Sequence, residues 1–132
     1  MTTNEGYLLD TNVVLTALKN PASLSAAVRN AVLAGPNVIS AIVYWEVVLK
    51  ATKGTLIVGQ LRAWWLDTLD MLAATALPLT ADHVAKVHEL PVIHKDPFDR
   101  VLIAQASVEG FTVVTTDREI KKYASKHIRV IV

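Results

Sequence analysis

Cysteine is absent from all 132 residues. Its absence excludes disulfides, thiol catalysis and zinc-ribbon chemistry, and favours a cytoplasmic location. No apolar run approaches the roughly 20 residues of a membrane span. The opening Met1-Thr2-Thr3-Asn4-Glu5-Gly6 lacks the basic region and apolar stretch of a secretory signal. Glycine and proline number five each and are scattered, so linkers, repeats and low-complexity segments are missing too. Charge of one sign is not in excess: 13 Lys and Arg face 12 Asp and Glu, for a formal charge of +1. That balance does not by itself advertise a polyanion partner. The chain also lacks Gly-x-x-x-x-Gly-Lys-Ser/Thr and Gly-x-Gly-x-x-Gly turns, so nucleoside triphosphates and dinucleotides have no recognisable cradle. His83, His88, His94 and His127 show no His-Glu-x-x-His spacing and read as surface or helix-end residues, with a site role for His94 as the minor alternative. Ser40 has none of the glycines of a nucleophile elbow, which leaves it a helix cap.

What is present is a hydrophobic chain, 52% apolar, of a length that suits one domain spanning residues 1–132. Tyr7-Leu8-Leu9, Val38-Ile39, Ala76-Leu77-Pro78-Leu79, Thr112-Val113-Val114-Thr115 and Ile128–Val132 read as short strands. Between them lie segments of helical periodicity. One carries Val13, Val14, Ala17 and Leu18, and the next Leu24, Ala27, Val28, Ala31 and Val32 up to Gly35-Pro36. Ser40 begins a third that ends at Gly54, and Leu61, Trp65, Leu69 and Leu72 line a fourth. Thr80 and Asp96-Pro97 are strong starts for two more, the last ending at Gly110. A short basic helix precedes the final strand. Strands alternating with helices predict an α/β fold with a central parallel sheet covered on both faces. The adjacent Trp64 and Trp65 must point in different directions, one into the core and the other towards a candidate interface.

Four carboxylates then stand out. Asp10 directly follows Leu8-Leu9, and Asp117 follows Val114-Thr115-Thr116. Asp99 falls in the first turn of the helix that Asp96 caps. Glu46 interrupts a helix that is otherwise Ala41-Ile42-Val43-Tyr44-Trp45 and Val47-Val48-Leu49, a pattern expected of a buried helix. Lys50, one turn on, can pair with it. Each acid alone has a structural explanation as a cap or dipole partner. Asp10 and Asp117 fall at strand ends, Asp99 in a first helical turn and Glu46 two turns into its helix. All four can therefore look into the crevice where an open parallel sheet places its ligand site. Two carboxylates about 4 Å apart repel by roughly 4 kcal/mol at an effective dielectric of about 20. A hard divalent cation such as Mg²⁺ or Mn²⁺ removes that penalty, polarises a phosphoryl oxygen and acidifies water. Thr11, Asn12 and Thr115 neighbour the acids and can hydrogen-bond a carboxylate, a metal-held water or a substrate. Arg118, Lys121, Lys122, Lys126 and Arg129 crowd the C-terminal segment, with Lys95 and Arg100 just upstream. They form either a solvated face or a contact surface for a phosphate backbone, with Arg100 and Arg118 the candidate substrate-binding residues.

These residues resemble a family. Leu9-Asp10-Thr11-Asn12, Ser40-Ala41-Ile42 with Glu46 six residues after the serine, Asp96-Pro97-Phe98-Asp99-Arg100 running on to Ile103-Ala104-Gln105-Ala106, and Thr115-Thr116-Asp117 occur in this order. The pattern resembles the PIN-domain ribonucleases, most closely the VapC-type toxins of toxin–antitoxin systems. The resemblance covers Leu8 to Val132. It implies a three-layer α/β/α sandwich and a Mg²⁺- or Mn²⁺-dependent endoribonuclease with Asp10, Glu46, Asp99 and Asp117 as the acidic pocket. Asp10, Asp99 and Asp117 would be the metal ligands. It further implies an RNA substrate, a homodimer and a cognate antitoxin protein. One departure is Val43, where many relatives carry a second Ser or Thr. The alternatives are an RNA-processing nuclease that is not a toxin, or a non-catalytic RNA-binding module.

Overall fold

Short apolar strands with little polar alternation belong in a sheet covered on both faces. The computed structural model describes residues 5–125 and 127–132. In it, β1 (Tyr7–Leu9), β2 (Asn37–Ser40), β3 (Ala74–Leu77), β4 (Thr112–Val114) and β5 (Arg129–Ile131) form one sheet in the order β3-β2-β1-β4-β5. Every pairing is parallel. The connections hold α1 (Thr11–Lys19), α2 (Ala26–Ala34), α3 (Ala41–Thr52), α4 (Leu61–Met71), α5 (Ala81–Glu89) and α6 (Pro97–Glu109). Helices flank the sheet on both sides, the α/β/α sandwich expected from the alternation. Among the described residues no helix is long and apolar enough to cross a membrane.

Chain order and strand order differ in one informative way. From β1 the chain moves outward to β2 and β3, then crosses back to place β4 on the other side of β1. The carboxyl ends of β1 and β4 therefore flank the point where the direction of winding reverses, and a crevice opens there. Asp10 follows β1, and its N–H continues the ladder by donating to the Val114 carbonyl of β4 at 3.0 Å. Side-chain caps start most helices: Asp10 for α1, Ser25 for α2, Ser40 for α3, Thr80 for α5 and Asp96 for α6. Each offsets an otherwise unpaired N–H and contributes about 1 kcal/mol. Gly110, at φ 79°, closes α6 in the left-handed conformation that glycine adopts without steric cost.

The core is built from Leu8, Leu9, Ile39, Val113 and Val114 of the sheet, with Val13, Val14, Val43, Val47 and Ile103 of α1, α3 and α6 packed on it. Val43 is thus a core residue. Several expectations are corrected. The strand expected at Ala76–Leu79 is β3 at Ala74–Leu77, because Pro78 has no N–H for a ladder and pairing to β2 sets the register. The short basic helix is present as expected, wound as a 3-10 helix over Arg118–Tyr123. Helix α3 is not buried all round: Ile42, Val43 and Val47 face inward while Ala41 and Trp45 are exposed. Neither Trp64 nor Trp65 stands out from the surface, since both are half-buried and stack on Tyr44, at centroid distances of 6.3 and 4.7 Å.

His83 lies at the start of α5, one of the helix-end positions expected, but it is fully buried rather than at the surface. Its Nδ1 accepts the Thr80 N–H, which leaves Nε2 to donate to Glu109 Oε2 at 2.8 Å. Gln105 Nε2 also reaches His83 Nδ1, and Gln105 Oε1 accepts from the Ser40 hydroxyl at 2.5 Å. This buried chain ties the cap of α3 to α5 and α6. Each member is satisfied by another, as burial of polar groups requires.

Candidate active site at the switch point

The crevice between β1 and β4 gathers acids from four places in the chain. Asp10, Thr11, Asn12, Glu46, Lys50, Asp96, Asp99, Thr116 and Asp117 line one pocket of about 270 Å³. Asp10 is nearly buried, and both its oxygens are held. Oδ1 accepts the Val13 N–H at 2.8 Å, and Oδ2 accepts from the Thr115 hydroxyl. That same Thr115 oxygen accepts the Asp117 N–H at 3.0 Å, so one hydroxyl sets two acids relative to each other. Glu46 reaches in from α3. Its Oε1 accepts from Thr11 Oγ1 at 2.6 Å, and Lys50 Nζ lies 3.6 Å from Oε2. Lys50 is therefore the partner for the carboxylate that interrupts the apolar run, and α3 leaves that side partly open. Asp96 caps α6 through the N–H groups of Phe98 and Asp99, which places Asp99 in the first turn with its carboxylate turned into the pocket.

His94, for which the sequence offered a site role only as the minor reading, stands among the acids. Its Nε2 stands 3.0 Å from Asp117 Oδ2 and 3.3 Å from Asp99 Oδ2. Nδ1 accepts the Asp96 N–H at 3.2 Å, so the proton on Nε2 points at the two acids. The His94 N–H donates to Tyr123 Oη at 2.7 Å. No spacing motif marks His94, because the contact depends on where the loop before α6 crosses the end of β4.

The electrostatics carry the imprint of crowding. Burial pushes the Asp10 carboxyl up to about 6, against the two hydrogen bonds that stabilise its anion, and the charges of Glu46 and Asp117 add to the rise. Asp99 is pushed up to about 7 by burial and then by Asp96, with Asp10 and Glu46 adding and His94 opposing. The His94 imidazole is shifted upward, first by its hydrogen bond to Asp117 and then by the charges of Asp99, Asp117 and Asp96, against the effect of burial. The lining thus holds five carboxylates with Lys50 as its one lysine. This donor set suits a hard divalent cation. One ligating atom from each of His94, Asp99 and Asp117 lies within 4.8 Å of the others.

The basic residues divide. Arg100 gives its donors to the carbonyls of Val87 and Pro91 and to Tyr123 Oη, at 3.0, 2.9 and 3.1 Å. Its guanidinium braces the backbone and, through Tyr123, stands behind His94, so several of the donors that the sequence offered to a substrate are engaged within the fold. Arg118 is exposed beside a larger groove of about 510 Å³ that it shares with Ser23, Ser25, Thr116 and Lys121. Thr11 and Thr115 direct their hydroxyls at Glu46 and Asp10, and Asn12 donates to Thr116 Oγ1 at 2.7 Å. All three therefore act on the pocket's own walls. Lys126 lies outside the described residues.

A sequence profile of the PIN domain matches residues 7–126, which is most of the chain. The chain belongs to the PIN domain family. Solved structures with the same fold include VapBC2 from Rickettsia felis bound to a DNA fragment from its promoter, at 19% identity and a TM-score of 0.68. That likeness covers 95% of this PIN domain's chain and 96% of the other. FitAcB from Neisseria gonorrhoeae is similar at 22% identity and a TM-score of 0.63, with 96% of each chain covered. VapBC-5 from Mycobacterium tuberculosis, a member of a toxin–antitoxin family, is similar at 17% identity and 0.62, covering 97% of this chain and 98% of that one. At such identities the likeness is one of fold. Comparison with curated proteins returns no match.

Proposed function

We propose that this PIN domain is a Mg²⁺- or Mn²⁺-dependent endoribonuclease acting as the toxin of a toxin–antitoxin pair. The observation that carries the reading is the pocket at the switch point. Asp10, Glu46, Asp99 and Asp117 converge there, and burial and mutual repulsion raise two of them far above the ordinary carboxylate range. Such a cluster is uncomfortable without a cation and suited to one. Asp10, Asp99 and Asp117 would hold the ion, with His94 beside the last two. When bound, it supplies Lewis-acid stabilisation of the phosphoryl charge and acidified water for hydrolysis of an RNA phosphodiester.

The chain's own groups do the rest. Thr115 holds Asp10 and Asp117 in register, and Thr11 holds Glu46. Glu46, with one oxygen on Thr11 and Lys50 near the other, is placed to accept a proton at the pocket wall. Arg118 and Lys121, in the groove that shares Thr116 with the pocket, suit the flanking phosphates. The similarity to the VapBC and FitAcB structures supports the toxin role and a cognate antitoxin partner, and the reading includes a homodimer in the cytoplasm. The test is cleavage of cellular RNA by the purified protein with Mg²⁺ or Mn²⁺. We expect cutting that a chelator stops and that Asp10→Asn or Asp99→Asn abolishes. Unchanged cleavage by either variant, or by chelated protein, refutes the assignment. Induction should also arrest growth, and a small protein encoded beside it should relieve the arrest.

A further inference from the structure

Two aromatic residues sit one position from two of the acids, on two packed helices. Trp45 immediately precedes Glu46 on α3, and Phe98 immediately precedes Asp99 on α6. Their rings meet edge to face, with centroids 5.3 Å apart and planes at 77°. Phe98 is half-buried against the core, whereas Trp45 remains 54% exposed. A braced but open indole one residue along the helix from an acid of the pocket is a flat apolar surface held in a fixed orientation.

The chemistry of the neighbourhood selects what can lie on it. The chain neighbours of Trp45 and Phe98 are the pocket acids Glu46 and Asp99. Among the lining residues Lys50 is the one lysine against five carboxylates, a balance that disfavours a phosphate, whereas a nucleobase is neutral and offers a π-face. Phosphates find their cations at another edge of the pocket, where Thr116 is shared with the groove of Arg118 and Lys121. A strand crossing the pocket can therefore keep its backbone on the basic groove and turn a base onto the aromatic pair. A base in a duplex is already stacked and paired, so the fit is to a single strand. We propose that Trp45, braced by Phe98, is the stacking platform for an unpaired base of single-stranded RNA flanking the phosphodiester in the acid pocket. The inference rests on the ribonuclease reading above.

The test uses a short single-stranded RNA labelled with a fluorophore and quencher, and the intact chain. Trp45→Ala should raise KM by roughly 5- to 30-fold with kcat within about twofold, as loss of one stacked base implies. Trp45→Tyr should restore most of the affinity. In the Asp10→Asn background, anisotropy should show the same loss of RNA binding on Trp45→Ala. Replacing the flanking nucleotide with an abasic one should weaken binding to the Trp45 protein and leave Trp45→Ala unaffected. Equal RNA affinity with and without the indole overturns the platform while leaving the nuclease reading intact. A changed oligomeric mass in Trp45→Ala with KM unaltered assigns the face to a second copy of the chain and overturns it as well. Wild-type protein that neither binds nor cleaves the RNA removes the ribonuclease reading and the platform together.

Discussion

Replacing Asp10 by asparagine should make the metal-free protein more stable, although Asp10 is buried, hydrogen-bonded and a helix cap. The carboxyl is pushed from 3.8 up to about 6, and the sign follows from linkage. A folded-state pKa above the unfolded one means the folded protein holds a proton that the unfolded chain has released. Folding is therefore penalised as pH rises from about 4, and the full penalty applies above about 6. A rise of two units corresponds to about 3 kcal/mol. Part of that reflects coupling to Glu46 and Asp117, so a gain of about 1–3 kcal/mol is expected for Asp10→Asn near pH 8. The amide keeps the geometry. Its oxygen still accepts the Val13 N–H, and its NH₂ faces Thr115, whose oxygen has two lone pairs. Thermal unfolding in chelator should show Tm higher by about 5–10 °C near pH 8 and nearly unchanged near pH 4. Saturating Mg²⁺ should stabilise the wild type by about 2–3 kcal/mol at a hundredfold excess over Kd and Asp10→Asn far less. A variant less stable than wild type in chelator near pH 8, or one with the same increment at both pH values, refutes the reasoning.

Asp99, pushed up to about 7, should make metal-dependent cleavage fall as pH drops below 7, because a proton then competes with the ion for the carboxylate. Raising Mg²⁺ should move that limb to lower pH in a pH–rate profile. Ser40→Ala removes the α3 cap and leaves buried Gln105 Oε1 without its donor, so urea unfolding should show a loss of about 1–3 kcal/mol. The two arginines should separate cleanly. Arg100→Ala should lower Tm, with RNA KM near wild type, because its donors hold the Val87 and Pro91 carbonyls. Arg118→Ala should leave Tm in place, raise KM and flatten the salt dependence of RNA binding by about one unit of slope.

Much of this fold was legible because its instructions are local. A serine, threonine or aspartate before an apolar-periodic run announces a helix start, and Ser40, Thr80 and Asp96 all serve so. Tyr7–Leu9 and Thr112–Val114 were readable as strands for similar reasons. The edge strand β3 was misplaced because its position is set by pairing to β2 rather than by its own residues. Helix α3 was misjudged because composition cannot say which face a neighbour covers, and Trp45 is left open. The contacts of His83 and His94 were underweighted for one shared reason: each reaches residues that spacing along the chain does not predict, Glu109 for one, Asp99 and Asp117 for the other.

By itself the sequence determined the alternation of strands and helices, and with it a parallel sheet. It also placed three carboxylates at strand ends or a first helical turn and Glu46 two turns into a helix, all near where such a sheet opens. Only the tertiary structure decided how they meet. Strand order brings β1 against β4, and Thr115 then locks Asp10 to Asp117 while α3 and α6 deliver Glu46 and Asp99. The same packing inserts His94, engages Arg100 with the Val87 and Pro91 carbonyls and leaves Trp45 open against Phe98. The physical reason is range. Capping and periodicity act within a turn or two, whereas repulsion between carboxylates depends on distances that only the folded chain creates.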